Sequence, residues 1–251
     1  MNANQQKIAW VTGAGTGIGQ AGAVDLAARG HTVVVSGRRL EPLQETAEMI
    51  SAAGGTCIIE QLDVADSDAC AAVAQRINEQ FGRLDVLVNN AGLNVKNRHT
   101  DVLTVADWRK VIDVDVNGVF HCLHPVLPIM RAQGGGLIIN VSSWAGRWPA
   151  YLAGAAYNAA KHAVSAMNEL INMEEGENGI RCTALCPGEV YTPIMDARPV
   201  PPPLEEKQKM VQMADMGEII GWLADQPAHV CINELVVSPT HNRIYQAGKH
   251  K

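Results

Sequence analysis

Three features of the sequence predict a doubly wound α/β fold, a parallel sheet of seven strands with helices on both faces. Short apolar runs alternate with longer segments of helical period, which implies strand–helix–strand crossovers. The runs are apolar at nearly every position, as strands buried on both faces require. No repeat, low-complexity block or linker divides the chain, so residues 1–251 are expected to form a single domain.

In chain order, the first strand is Ile8 to Val11, followed by a glycine-rich turn and a helix over Ile18 to Arg29. Strand Thr32 to Val35 leads to helix Glu41 to Ala53, and strand Thr56 to Ile59 to helix Ser67 to Gln80. Strand Leu84 to Val88 precedes a long helix over Ala106 to Arg131. Strand Gly136 to Val141 precedes helix Ala155 to Glu174, and strand Ile180 to Leu185 precedes helix Leu204 to Asp225. Strand Glu234 to Val237 completes the set, and the prolines between Arg198 and Pro203 read as a rigid surface loop.

Composition excludes several classes of function. With 47 % hydrophobic and 18 % charged residues the chain is neither disordered nor a coiled coil, and no apolar run is long enough to span a membrane. A net charge of −6, with 5 Trp, 4 Tyr and 2 Phe, argues against nucleic acid as a partner. The six cysteines contain no CxxC pair, which suits buried thiols in a reducing compartment. The opening residues carry no export signal, so the expected location is cytoplasmic.

The sequence VTGAGTGIG, Val11 to Gly19, follows the first strand and opens the first helix. Gly13 permits a tight turn, Gly17 lets the backbone approach a pyrophosphate, and Gly19 lets helix pack on strand. The helix N-terminus at Thr16, Gly17 and Ile18 then presents free N–H groups and a positive dipole end to phosphates. The second strand ends in Ser36, Gly37, Arg38 and Arg39. An acidic residue that would favour NAD is missing there, and an arginine stands where a 2′-phosphate would be met. NADP(H) is therefore expected in preference to NAD(H); the competing reading leaves Arg38 and Arg39 over the adenine or in solvent.

Tyr157 and Lys161 lie one helical turn apart and share a face. A free tyrosine titrates near pH 10, and an ammonium about 4 Å from a phenolate stabilises it by about 4 kcal/mol at an effective dielectric of about 20. Such a pair suits general acid–base work. Upstream, Ser142 and Ser143 end the strand LIINVSS, at the carboxyl ends of the strands, where an open parallel sheet forms its ligand crevice. A hydroxyl donor beside a phenol suits the polarisation of a carbonyl during hydride transfer.

TGAGTGIG, Asp63 in LDV, NNAG at Asn89 to Gly92, Ser143, YNAAK at Tyr157 to Lys161, and PG at Pro187 and Gly188 occur in this order. Over about residues 7 to 195 the chain resembles the short-chain dehydrogenase/reductase family. The resemblance implies a Rossmann-type domain, reversible NAD(P)-linked hydride transfer between an alcohol and a carbonyl, and a homodimer or homotetramer. It implies Tyr157 as acid/base, Lys161 as the residue that holds the nicotinamide ribose, and Ser143 as the substrate-polarising hydroxyl. Asp63 and Val64 are similar to adenine contacts, and Asn90, Ala91 and Gly92 to the wall beside the adenosine ribose. Pro187, Gly188, Val190 and Thr192 resemble the segment that fixes the nicotinamide.

The chain departs from the family in IDVDVNGVF, where Asp115 replaces the usual asparagine that steadies a helix bulge and a water chain leading to the lysine. Three readings compete. Asp115 holds the same water, Asn117 takes over through a register change, or the relay is impaired. The last would leave a nucleotide-binding regulatory or structural protein without efficient catalysis. Pro239 stops the last strand, and the final dozen residues are expected to cross a neighbouring subunit or lie over the pocket.

Asn94, Trp144 and Trp148 are candidates for the substrate wall, and Thr192 to Pro203 for a lid. Lys96, Arg98 and Arg147 are solvated loop charges or a welcome for an acidic substrate. His121 and His124 share a helix face without a third ligand nearby in sequence, so no metal site is expected.

Overall fold

The computed structural model describes residues 6–196 and 200–243. Seven parallel strands form one sheet: β1 (Ile8–Thr12), β2 (Thr32–Gly37), β3 (Thr56–Gln61), β4 (Val86–Asn89), β5 (Gly136–Val141), β6 (Ile180–Pro187) and a last strand, Glu234–Val237. A two-residue strand, β7 (Val190–Tyr191), pairs in parallel with β8 (Val211–Gln212) outside that sheet, which makes Glu234–Val237 β9. The strand order β3-β2-β1-β4-β5-β6-β9 reverses direction between β1 and β4. From the carboxyl ends of these two neighbouring strands the chain leaves towards opposite faces, which opens a crevice for a ligand.

Alternation along the strands divides the core between the two faces. Ala9, Val11, Val33 and Val35 pack under α1 (Gly17–Ala28), α2 (Leu40–Ala52) and α8 (Met213–Ala224) through Leu26, Leu43, Ile50 and Ile220. Ile8, Trp10, Val34 and Leu87 face α3 (Ser67–Phe81), α5 (Gly118–Gln133) and α6 (Ala155–Glu175) through Val73, Ile77, Val126 and Ile171. Trp10 is fully buried, and its indole N–H donates to Ser36 Oγ at 2.9 Å, so the polar atom is satisfied inside the core.

Two of the expected helices are built differently. The stretch Ala106 to Arg131 is helical, but α4 (Val105–Ile112) joins α5 through one wide π-helical turn, Asp113–Asn117. The stretch Leu204 to Asp225 is not one helix. It contains α7 (Leu204–Lys207), then β8, then α8. Val211 is drawn out of helical conformation by its pairing with Val190, and Gln212 caps α8. Its backbone N–H donates to Asp215 Oδ2 at 2.8 Å, closing a reciprocal capping box.

Candidate active site

The glycine turn sits at the point where the strand order reverses. Gly13 has φ of 63°, and a methyl group there would come within 2.9 Å of Ala91 Cα. Gly19 has no room for a side chain beside the Asn90 amide. Asn90 laces the two halves of the sheet together, donating from Nδ2 to the Thr12 and Gly13 carbonyls at 3.0 and 3.1 Å. Thr12 Oγ1 receives the backbone N–H groups of Asn90 and Ala91, each at 3.1 Å.

Thr16 is the exposed residue at the start of α1, and its side chain makes no capping bond. The first N–H groups of α1 are thus left for another acceptor. A cleft of about 290 Å³ runs between this turn and Gly37, Arg38 and Arg39, both arginines being exposed. Ile18 is half-buried. A bare glycine cradle at a helix N-terminus, flanked by cations, fits a dinucleotide phosphate chain. Asp63 is exposed and its Oδ1 accepts from Ala65 N–H at 3.1 Å. The Val64 side chain is occupied in packing against Gly118, where a methyl would come within 2.6 Å of its Cγ2.

The second group of side chains stands at the ends of β5 and α6. Gly154, with φ of 75°, starts α6 where a methyl would strike the Arg98 carbonyl. Tyr157 follows, half-buried, and Lys161 comes one turn later, 4 % exposed. Lys161 Nζ donates to the Val141 carbonyl at 3.1 Å and lies 5.4 Å from the centre of the Tyr157 ring. Asp115 Oδ2 is 3.4 Å from the same nitrogen, an ionic contact without well-aligned hydrogen-bond geometry. Asp115 Oδ1 accepts the Leu93 N–H at 2.8 Å. Asn117 instead donates to Asp113 at 3.1 Å, so the wide turn presents Asp115 to the lysine.

The electrostatics of this buried pair oppose each other. Burial pushes the Asp115 pKa up, countered in part by the lysine charge and the Leu93 N–H. Burial works against the Lys161 ammonium, but Asp115 and Tyr157 together hold its pKa above the ordinary lysine value. Gly92 keeps the two in reach, since a methyl there would stand 3.2 Å from Asp115 Oδ2 and 3.3 Å from Lys161 Nζ.

Ser142 is buried and structural, its hydroxyl donating to the Lys161 carbonyl at 3.0 Å. Ser143 is half-buried, and its Oγ accepts the Ala145 N–H at 3.1 Å. Trp144 is buried and its ring lies tilted against that of Trp148, centres 4.6 Å apart, Trp148 being 45 % exposed. Asn94 donates to the Ala153 carbonyl at 2.9 Å and accepts from Val95 N–H at 2.8 Å, so it ties the loop after β4 to the turn before α6. Arg147 pairs with Glu234 at 3.2 Å, and Arg98 donates to the Leu152 carbonyl at 3.3 Å.

Pro187, Val190 and Thr192 are buried, and Gly188 N–H donates to the Val237 carbonyl at 2.6 Å. A methyl on Gly17 would stand 3.5 Å from the Thr192 methyl, so this segment crosses close to the glycine turn. In the proposed lid, residues 197–199 lie outside the described residues, as do residues 244–251 of the C-terminal stretch. Its described part folds back on this chain, where Arg243 meets Glu189. His121 Nδ1 lies 2.9 Å from the Val64 carbonyl, and among the described residues no three His, Cys, Asp or Glu side chains form a metal-binding group. Among the same residues no helix is long and apolar enough to cross a membrane.

Glycine turn, switch-point crevice and laced strand ends together define a dinucleotide-binding α/β protein. Residues 7–200 match the short chain dehydrogenase model. The chain is 36 % identical to 3beta-hydroxysteroid dehydrogenase of Mediterraneibacter gnavus over 219 residues, 87 % of this chain and 77 % of that protein. It is also 36 % identical to cyclohexanol dehydrogenase of an Acinetobacter species over 198 residues, 77 % of each chain. A crystal structure of a metagenomic short-chain oxidoreductase in complex with NADP superposes with a TM-score of 0.82 at 32 % identity, covering 94 % of this chain and 98 % of the other. The chain belongs to the short-chain dehydrogenase/reductase family of NAD(P)-linked oxidoreductases.

Proposed function

We propose that the protein interconverts a secondary alcohol and its ketone, with Tyr157 as acid/base and NADP(H) preferred over NAD(H). The observation that carries this reading is the Lys161 ammonium, buried between the Val141 carbonyl and Asp115, with Tyr157 one turn earlier on the same helix. The steroid and cyclohexanol dehydrogenases among the relatives support the alcohol chemistry, and the NADP of the metagenomic relative supports the cofactor preference.

The N–H groups at the start of α1 hold the pyrophosphate, Arg38 meets the 2′-phosphate with Arg39 beside it, and Asp63 and Val64 border the adenine. Asn90, Ala91 and Gly92 wall the adenosine ribose, while Val190 and Thr192 hold the nicotinamide end. When bound, the nicotinamide supplies hydride for reduction and takes it up in oxidation. Ser143 Oγ already accepts from Ala145, which leaves its own proton to donate to the substrate oxygen. Tyr157 gives that oxygen a proton in reduction and removes it in oxidation. Lys161 offsets the negative charge that develops on the phenol oxygen, and Asp115 fixes Lys161 in place.

Six free thiols are consistent with the cytoplasmic location read from the sequence, and the homodimer or homotetramer remains part of the proposal. Replacing Tyr157 by Phe is expected to lower kcat about a thousandfold or more while cofactor binding persists. A panel of secondary alcohols and ketones, run with both cofactors and followed by the absorbance of the reduced nicotinamide, measures this. Undiminished turnover in the variant would overturn the acid/base assignment.

A further inference from the structure

Three contacts from elsewhere among the described residues bear on the segment from Pro187 to Thr192. One is the Gly188 N–H to the Val237 carbonyl, and another is the pairing of β7 with β8, where Val211 N–H donates to the Glu189 carbonyl at 3.2 Å. The third is charged. Glu189, with a side chain only 7 % exposed, accepts from Arg243 Nε at 2.8 Å and from a terminal guanidinium nitrogen at 2.6 Å.

Arg243 comes from the C-terminal stretch, 54 residues further along the chain, next to the buried Asn242. Its pKa is raised, first by the bond to Glu189 and then also by the charges of Glu189 and of Glu206 just before the end of α7. The guanidinium thus links the cofactor segment with a residue near the far end of the chain.

We propose that Glu189 and Arg243 form a latch that positions the nicotinamide half of the cofactor, making Arg243 part of the machinery of the cofactor site. This rests on the reading above that Val190 and Thr192 face the nicotinamide. A bidentate guanidinium–carboxylate pair fixes two distances and a plane, so it constrains the backbone on which its carboxylate sits. Val190 is the next residue, and Thr192 carries the methyl that approaches Gly17. Exposed ion pairs contribute little, whereas removing the guanidinium here takes a two-pronged partner from a buried carboxylate. The segment then gains freedom to turn Glu189 towards water, and Val190 and Thr192 move with it.

The test uses Arg243→Gln, Glu189→Gln and the double variant of the full chain. Each is titrated with NADPH and with 2′-phospho-ADP-ribose, which lacks the nicotinamide; NADH and ADP-ribose replace them if NADH is the tighter cofactor. The single variants are expected to raise the Kd for the reduced cofactor about tenfold while the Kd for the nicotinamide-free ligand changes less than about twofold. The double variant is expected to be no worse than the weaker single variant, since the two side chains act as one unit. Cofactor KM should rise with Kd, by a larger factor than kcat falls. Arg76→Gln, which breaks the ion pair with Glu60 on the β3 edge, is the control and should leave both titrations unchanged. Unchanged binding of the reduced cofactor, or equal weakening of both ligands, would overturn the latch. A wild-type chain that binds neither ligand would overturn the oxidoreductase proposal, and the latch with it.

Discussion

A carboxylate with no exposed surface beside a buried ammonium is costly to assemble and costly to break. Asp115 does two jobs with two oxygens. Oδ1 holds the loop after β4 through Leu93, and Oδ2 faces Lys161. An amide at this position keeps an acceptor for Leu93 but gives up the charge, whereas alanine gives up both. Asp115→Ala is therefore expected to destabilise the protein by about 3–5 kcal/mol, because it strands a buried ammonium. Asp115→Asn should cost less and change kcat by less than about tenfold in either direction, the scale of a single modest electrostatic contact. Thermal unfolding and steady-state kinetics measure both effects. A rise in kcat of tenfold or more in Asp115→Asn would mean that the native carboxylate impairs the proton path.

At the level of elements, the wide turn and the broken last helix explain what composition and period leave unread. Strands such as Thr32 to Val35 are legible because burial on both faces leaves an unbroken apolar run. The turn Asp113–Asn117 is not, because a single wide turn shifts the helical phase too little to be seen in five residues. Asp115, the favoured reading, and Asn117 therefore both stand as candidates for the asparagine's role in the sequence, and the backbone separates them. The helical period also runs through Lys207 to Met213, hiding the two residues of β8, although Gln212 and Asp215 carry the spacing of a capping box. The glycine turn, Asn90, Ser143, Tyr157 and Lys161 stand out because local spacing carries their motifs. The bond from Arg243 to Glu189 joins distant positions through no local pattern. The cap itself is open to test. Asp215→Ala removes the acceptor for Gln212 N–H and is expected to cost about 1 kcal/mol, which for a chain of this size lowers Tm by about 2–4 °C. An unchanged melting curve would mean that β7–β8 pairing alone sets the start of α8.

At the scale of the whole molecule, the carboxyl ends of the strands bring together residues from both halves of one sheet. Arg38 follows β2 and Gly13 follows β1, while Asn90, Ser143 and Pro187 stand at the ends of β4, β5 and β6. A ligand along these ends bridges the order reversal and adds to the β1–β4 pairing and the bonds of Thr12 and Asn90. Binding to the folded state alone then stabilises the entire chain, by about 2.7 kcal/mol at a free concentration of about 100 Kd. With about 2–4 °C per kcal/mol at this size, the expected rise in Tm is about 5–11 °C. Arg38 is exposed at the cleft wall, and the proposed function has it meet the 2′-phosphate. At matched millimolar concentrations NADP should raise Tm more than NAD, and Arg38→Ala should remove the difference while leaving the NAD shift in place. Equal shifts in the wild-type protein would remove Arg38 from the phosphate site and leave Arg38 and Arg39 as solvated ends of β2, with the glycine turn alone holding the nucleotide.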